Sequence, residues 1–349
     1  KPTLAQLVTI NAATSEAIKI PTDTALTGTA ANILLALKGV EGHKGNITVS
    51  GTGTPTSTAA ADVNTIAGLT TGVVRATITS GAVKATLDAI TNVDANDIIT
   101  FTTSDTTVDA SDLVALKAKV DTFITGSVTK ITEVAASVAS VEEALNILGA
   151  DTQTTAVEIT GAISAADLNT IANNTAGAVT ATITAGTVAA TLAAISHVDG
   201  TAGNDKITYT TNQTTVDASD LVDLNAKVDT FNIASVTTIT EAYNTVDLTT
   251  EVLAAEALKE GANVEITGGA ISAANLNTLA SDTTIGNITA TATETAAATL
   301  VGLTTTNTDM ITVTMASAST AAADLNTIDG KTGTAVNATA ITALTGAAS

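Results

Sequence analysis

The sequence predicts an α/β solenoid: a right-handed coil of about 12 to 13 strand–helix turns with one long parallel sheet and a row of short alanine-rich helices. Two observations lead to this prediction. Similar phrases return along the 349-residue chain with a long period of 105 to 108 residues. Within that period, β-branched runs alternate with short helical patterns at about 27 residues per turn. Connections through a helix make neighbouring strands parallel.

The long period is visible in two groups of phrases. Ser-Ala-Ala-Asp-Leu-Asn-Thr-Ile at 164–171 has relatives that begin at Ala60, Ser272 and Ala322. Val-Asp-Ala-Ser-Asp-Leu at 108–113 returns 108 positions later, and the match continues through Ala-Lys-Val-Asp-Thr-Phe, which ends at Phe123 and again at Phe231. Repeated sequence of this kind predicts repeated structure.

The repeats suggest boundaries along the chain. We expect a partial repeat at 1–56 and super-repeats at 57–161, 162–269 and 270–349, the last one incomplete, all within one continuous solenoid. Three tandem globular domains of about 105 residues are the alternative. They would explain the long period, but not the similar strand–helix turns inside it.

Strands are predicted where alternating β-branched runs occur. They cover 17–20, 46–50, 73–79, 97–102, 127–132, 156–160, 178–184, 206–210, 235–240, 263–267, 287–293, 310–314 and 335–341. Helices are predicted where apolar residues recur at i, i+4 and i+7, as at 83–90, 113–120 and 188–195. Ser164 with Asp167, and Asp109 with Asp112, have the spacing of helix N-caps followed by an acid in the first turn.

Composition and charge exclude several classes of partner. Thirteen basic residues against 34 acidic ones give a net charge of −21, which excludes nucleic acid. The apolar runs are too short for membrane insertion. With no cysteine, the chain has neither disulfides nor thiolate sites. Its 45% hydrophobic content includes only 1% aromatic residues, so a thin core of small side chains is expected.

Alternation of side chains along the strands predicts a threonine ladder on the outer face of the sheet. The ladder residues are Thr77, Thr79, Thr100, Thr102, Thr182, Thr184, Thr208, Thr210, Thr238 and Thr240, and one column is expected to run from Thr102 to Thr132. Threonine stacks well across strands and keeps a one-sided sheet wettable, which is a structural role. The alternative is that the array binds ice, glycans or another surface.

Acidic turns precede several predicted strands and contain Asp94, Asp97, Asp199, Asp205 and Asp309. Aspartates in such turns usually bond their own backbone. Clustered carboxylates also suit Ca²⁺, a hard ion that takes several oxygen ligands, and the acidic charge favours this cofactor. Both interpretations remain open at this stage.

Residues for catalysis are scarce. The two histidines, His43 and His197, lie 154 positions apart at different phases of the repeat, and no third group completes a triad or a metal trio with them. The sequence therefore predicts a protein that is not an enzyme.

The phrases at 322–332 and 178–184 resemble those of large Ala/Thr/Asp-rich repetitive bacterial surface proteins, including RTX-type adhesins and giant surface proteins of marine cyanobacteria. The resemblance covers most of the chain but rests on repeats rather than on a functional motif. It implies an extracellular location, a structural or adhesive role and calcium dependence, and it assigns no site residues.

Together these observations predict a non-enzymatic extracellular structural protein: a filament subunit, a surface-layer component or an adhesin stalk. Neither end has an evident polar capping turn, so we expect a longer natural chain or head-to-tail stacking of copies. A surface-binding module that uses the threonine ladder is the alternative function.

Overall fold

The computed structural model describes residues 1–16, 18–50, 57–149, 154–199, 203–243 and 248–346. In these ranges thirteen α-helices alternate with strands in several parallel sheets, and no closed barrel is formed. The mixed α/β class predicted from the sequence is confirmed. The chain forms two compact units, the first from residues 1–163 and 170–181 and the second from 164–169 and 182–349.

Helices and strands are short throughout. The helices are α1 (Leu4–Ala13), α2 (Ala30–Leu37), α3 (Ala60–Leu69), α4 (Val83–Ala89), α5 (Ala110–Lys117), α6 (Ala139–Leu148), α7 (Ala165–Asn174), α8 (Val188–Ala194), α9 (Ala218–Lys227), α10 (Leu248–Leu258), α11 (Ala273–Ala280), α12 (Ala297–Leu300) and α13 (Ala322–Asp329), with a 3-10 turn at Ala135–Ser137. The first nine strands are β1 (Leu26–Gly28), β2 (Ile47–Val49), β3 (Val74–Thr77), β4 (Ile98–Thr102), β5 (Thr107–Asp109), β6 (Thr122–Ile124), β7 (Lys130–Val134), β8 (Ala156–Ile163) and β9 (Val179–Gly186). The others are β10 (Lys206–Thr211), β11 (Thr215–Asp217), β12 (Thr230–Asn232), β13 (Thr238–Ala242), β14 (Asn263–Thr267), β15 (Ile288–Thr291), β16 (Met310–Thr312), β17 (Ser319–Ala321) and β18 (Ala343–Thr345).

In the first unit, β1, β2, β3, β4 and β6 form a parallel sheet in that order, while β7 pairs with β5 on one side and with β8 on the other. In the second unit, β10 pairs with β12, and β11, β13, β14, β15 and β16 form another parallel sheet. Strands β17 and β18 form a separate parallel pair. Most consecutive helices within a unit pack against each other, as α1 does on α2 and α12 on α13.

The prediction of one long sheet is wrong. The strands on either side of α5 belong to different sheets, because β6 pairs with β4 whereas β5 pairs with β7. The same arrangement recurs around α9, where β12 pairs with β10 and β11 with β13. These flanking strands have only three residues each, too few for an alternating pattern to reveal them.

The predicted strands from 46–50 to 310–314 each overlap an observed strand. Two others do not form. Residue 17 lies outside the described residues and residues 18–20 are not in a strand, while 335–341 precedes β18 rather than forming a strand. Strands β1, β17 and β18, with three residues each, were also missed.

Alternating residues of the strands are buried, as the sequence pattern predicts. In β3, Val74 and Ala76 are buried while Arg75 and Thr77 are exposed, and Ile183 is buried in β9. Two aromatic pairs lie across neighbouring strands. Phe101 of β4 lies opposite Phe123 of β6 with ring centroids 5.6 Å apart, and Tyr209 and Phe231 repeat the pair at 5.6 Å between β10 and β12.

The predicted helix caps are confirmed. The Ser164 hydroxyl accepts a hydrogen bond from the Asp167 amide at 3.0 Å, and the Asp109 carboxylate accepts one from the Asp112 amide at 3.1 Å. Each bond satisfies an amide that has no partner within its helix.

Candidate functional site

The ten threonines of the predicted ladder are all exposed or half-buried, as an outer face requires. In the first unit, Thr77 lies opposite Thr100, and Thr100 lies opposite Thr122. Three threonines therefore follow each other across β3, β4 and β6. Thr77 and Thr100 belong to the predicted ladder, whereas Thr122 was not predicted to be part of it.

The ladder does not continue as one column. Thr102 lies opposite Ile124 instead of leading to Thr132, which lies between Asp109 of β5 and Glu158 of β8. The predicted neighbourhood of Thr102 and Thr132 is therefore wrong, because β6 and β5 intervene. Ile124 is 48% exposed, so the outer face carries apolar and acidic side chains among its threonines.

In the second unit the outer face is also mixed. Thr240 lies opposite Asp217 and Glu265, and Thr289 lies opposite Met310, which is 46% exposed. A uniform array of hydroxyl and methyl groups is thus absent from these paired strands.

Three of the predicted acidic site residues are buried. Asp97, Asp205 and Asp309 are each 6% exposed. The Asp97 carboxylate accepts hydrogen bonds from the Val74 amide of β3 at 2.8 Å and from the Asp94 amide of its own turn at 3.2 Å. Burial raises the pKa of Asp97, although these two amides act in the opposite direction.

Asp309 makes the same kind of connection. Its carboxylate accepts hydrogen bonds from the Ile288 amide of β15 at 2.8 Å and from the Thr306 amide of its own turn at 2.7 Å. Both aspartates therefore link the turn before one strand to the beginning of the preceding strand. These amides lie at the strand ends, where they would otherwise lack a partner.

Other residues extend this set, which we call the strand staples. They are Asp97 on Val74, Asp121 on Ile99, Asp229 on Ile207, Asp309 on Ile288 and Thr332 on Ile311, with distances between 2.8 and 3.2 Å from side-chain oxygen to amide nitrogen. Since Thr332 is neutral, the shared role is to accept an amide hydrogen bond rather than to supply charge. Asp121 and Asp229 were not predicted as site residues, although both lie in the repeated phrase Lys-Val-Asp-Thr-Phe.

The described aspartates of the acidic turns do not form a set of oxygen ligands that fits Ca²⁺. The carboxylates of Asp97 and Asp309 are directed at backbone amides, whose hydrogens repel a cation, and one oxygen of Asp94 accepts the Asn96 amide at 2.8 Å. Asp205 accepts the Asp199 amide at 3.3 Å. Across the described ranges, no group of three or more histidine or acidic side chains is placed to hold a metal ion. The arrangement favours the alternative interpretation, hydrogen bonding of these aspartates to backbone.

The asparagine of the repeated Asn-Thr phrase connects successive helices. Asn64 accepts the Asn92 amide at 2.6 Å, and Asn169 accepts the His197 amide at 2.7 Å. Asn277 accepts the Thr304 amide, also at 2.7 Å. In each case the partner follows the next helix along the chain. We call Asn64, Asn169 and Asn277 the repeat asparagines.

In a third type of contact, the backbone amide of the first residue of a helix donates a hydrogen bond to a side chain of the following repeat. The amide donors and their acceptors are Val83 to Asp105 at 2.7 Å, Val188 to Gln213 at 2.6 Å and Ala273 to Glu294 at 2.7 Å. An acceptor at this place satisfies an amide that the helix cannot, and a negative one also interacts favourably with the helix dipole.

Glu256 of α10 is a buried acid with an incomplete set of partners. Its side chain is 0% exposed, Oε1 accepts the Gly261 amide at 2.8 Å, and Oε2 has no hydrogen-bond partner among the described residues. Burial raises the pKa of Glu256 to about 7, and the neighbouring acids Asp282 and Glu260 act in the same direction. The fold therefore favours the neutral carboxyl group.

This burial predicts a pH-dependent stability. The pKa of Glu256 is about 7 in the folded chain and 4.5 in the unfolded chain. The contribution of protonated Glu256 to the free energy of unfolding is therefore complete below pH 4.5 and is lost as the pH rises through 7. Glu256→Gln should remove that part of the pH dependence and be more stable than the parent chain at pH 8. Urea unfolding between pH 4.5 and 8 measures the difference. Glu143→Gln, at an exposed position of α6, is the control, and parallel profiles for Glu256→Gln and the parent would contradict the prediction.

The two histidines have unlike surroundings. His43 is 1% exposed, neither ring nitrogen has a hydrogen-bond partner among the described residues, and burial lowers its pKa. His197 is exposed, and its ring lies 3.2 Å from the Ser196 hydroxyl.

No family model, curated protein or solved structure matches this chain. No described helix has both the length and the apolar character needed to cross a membrane.

Proposed function

We propose that this chain is a non-enzymatic extracellular structural repeat protein, built as an α/β solenoid and serving as a filament subunit, surface-layer component or adhesin stalk. The observation that supports this proposal most directly is that its polar side chains form hydrogen bonds between successive repeats. The strand staples and the repeat asparagines link segments 21 to 28 residues apart in sequence. Side chains that a catalytic or metal site would need are used to hold one repeat to the next.

The surface chemistry agrees with such a role. A net charge of −21 disfavours unspecific contact between copies, and the mixed threonine face exposes polar groups to water.

A surface-binding module is the second candidate. The run Thr77, Thr100 and Thr122 across three adjacent strands favours it. The apolar and acidic residues that interrupt the face elsewhere support the structural role instead.

Assembly is tested on the purified full chain. Negative-stain electron microscopy should show rods or polymers, and sedimentation velocity should show species that grow with protein concentration. Compact monomers at every concentration would contradict assembly.

A further inference from the structure

A polar cleft in the first unit is lined by the loops of three successive repeats. Lys44 and Asn46 precede β2, Thr71 and Val73 precede β3, and residues of the segment 92–97 precede β4. We call this cleft the loop cleft. Its volume is about 530 Å³. Small-molecule sites typically have about 300 to 1,000 Å³, so the loop cleft is large enough for a ligand.

Three side chains of the loop cleft are each held by one hydrogen bond and keep a second polar atom free. Oδ1 of Asn46 accepts the Val73 amide at 3.0 Å, and Oδ1 of Asp94 accepts the Asn96 amide at 2.8 Å. Asn92 donates from Nδ2 to a backbone carbonyl of α3 at 3.2 Å. The atoms without a hydrogen-bond partner among the described residues are Nδ2 of Asn46, Oδ2 of Asp94 and Oδ1 of Asn92.

These free atoms are one donor and two acceptors on side chains that the fold already orients. Little side-chain freedom is then lost when a ligand binds. Asn96 and Thr71 are exposed and add an amide group and a hydroxyl group to the lining. Donors and acceptors in such a mixture match hydroxyl groups, because each hydroxyl both donates and accepts a hydrogen bond.

The charges of the loop cleft favour a ligand without net charge. Lys44 and Asp94 are both exposed and carry opposite charges. Asp97 is 6% exposed, and its carboxylate already accepts two amide hydrogen bonds. Such a lining complements neither a bare anion nor a bare cation. Ala67 and Val73 also line the cleft and offer apolar contacts for C–H groups.

The equivalent cleft of the second unit lacks these free groups. It lies beside Asp309, which is a strand staple like Asp97, and its volume is about 160 Å³. Threonines replace the two asparagines and the aspartate of the segment 92–97; they are Thr304, Thr306 and Thr308. The Thr304 hydroxyl donates to Asn277 at 3.2 Å, and the hydroxyls of Thr306 and Thr308 bond to each other at 2.7 Å. The larger cleft with free polar atoms is therefore not a consequence of the repeat fold alone.

We propose that the loop cleft binds a neutral saccharide. Sugar hydroxyls donate to Oδ2 of Asp94 and Oδ1 of Asn92 and accept from Nδ2 of Asn46, while the C–H groups of the ring pack against Ala67 and Val73. This site goes beyond the proposed structural function and does not depend on assembly.

The test is a nuclear magnetic resonance titration of the isotope-labelled full chain in the presence of EDTA. The probes are neutral tetrasaccharides of glucose, mannose, galactose and N-acetylglucosamine, each up to about 10 mM, which detects a dissociation constant of about 1 mM. At least one of them should shift the amide signals of residues 44–46, 71–73 and 92–97 in a saturable manner. Tetragalacturonate, the anionic control, should bind more weakly.

Two variants change the free atoms and keep the hydrogen bonds of the fold. Asn46→Asp keeps an oxygen for the Val73 amide but removes the Nδ2 donor, and Asp94→Asn keeps an oxygen for the Asn96 amide but removes the free carboxylate oxygen. Each should weaken binding about two- to tenfold, the effect of one hydrogen bond. Thr308→Asn, in the equivalent cleft of the second unit, should leave binding unchanged. Circular dichroism and urea unfolding check that each variant is folded.

Four outcomes would overturn the proposal. They are the absence of shifts with all four neutral probes, shifts confined to residues outside the loop cleft, tighter binding of tetragalacturonate, and unchanged affinity in both Asn46→Asp and Asp94→Asn. None of them affects the proposed structural role, which is tested separately by microscopy and sedimentation.

Discussion

Leu276→Ala is expected to lower the free energy of unfolding by about 2 to 5 kcal/mol, because removing a fully buried leucine leaves a cavity. Leu325→Ala, at the equivalent position of α13, should cost less than about 1 kcal/mol, because a half-buried side chain loses less apolar contact. The two changes are chemically identical and occur in the same repeated phrase. Their difference therefore isolates the effect of burial at this position of the phrase.

Urea unfolding of the two variants measures this difference, under conditions in which the chain is monomeric. Equal losses of stability would mean that Leu325 is as well packed in α13 as Leu276 is in α11.

Asp309→Ala is expected to lower the free energy of unfolding by about 1 to 3 kcal/mol, because it leaves the buried Ile288 amide without an acceptor. Asp309→Asn should cost less, since the amide oxygen of asparagine still accepts one hydrogen bond. Asp223→Ala is the control: Asp223 is exposed on α9, so its removal should change stability by no more than about 0.5 kcal/mol.

Hydrogen exchange gives a local measurement of the same staple. In Asp309→Ala the amide of Ile288 should exchange faster than in the parent chain, while amides of β10 in the same unit keep their rates. Unchanged protection of Ile288 would show that the Asp309 carboxylate does not hold this strand end.

The strand staples change the interpretation of the acidic turns. From the sequence, aspartates before strands suit either backbone bonding or calcium. The Asp97 and Asp309 carboxylates are occupied by amides, and Thr332 performs the same role with a hydroxyl group. The repeated aspartates are thus better explained by the need to close strand ends than by a cation.

The sequence alone determined the properties that depend on local pattern. Alternation with a period of two predicted the buried and exposed sides of β3 and β9, and the capping residues Ser164 and Asp109 predicted where their helices begin. The long repeat predicted that equivalent phrases fold alike, as the aromatic pairs Phe101–Phe123 and Tyr209–Phe231 do. These features follow from backbone geometry and from neighbours within one helix or strand.

Only the tertiary structure decided which strands pair and which repeats are covered. Three-residue strands have no readable pattern, so the pairing of β4 with β6 and the break in the threonine ladder at Ile124 could not be predicted. The staples join residues more than 20 positions apart, a distance at which a side chain's partner depends on strand register. Leu276 and Leu325 occur in similar local sequences, yet Leu276 is fully buried and Leu325 is half-buried. Burial depends on the segments that pack against a residue, and a repeated phrase does not specify them.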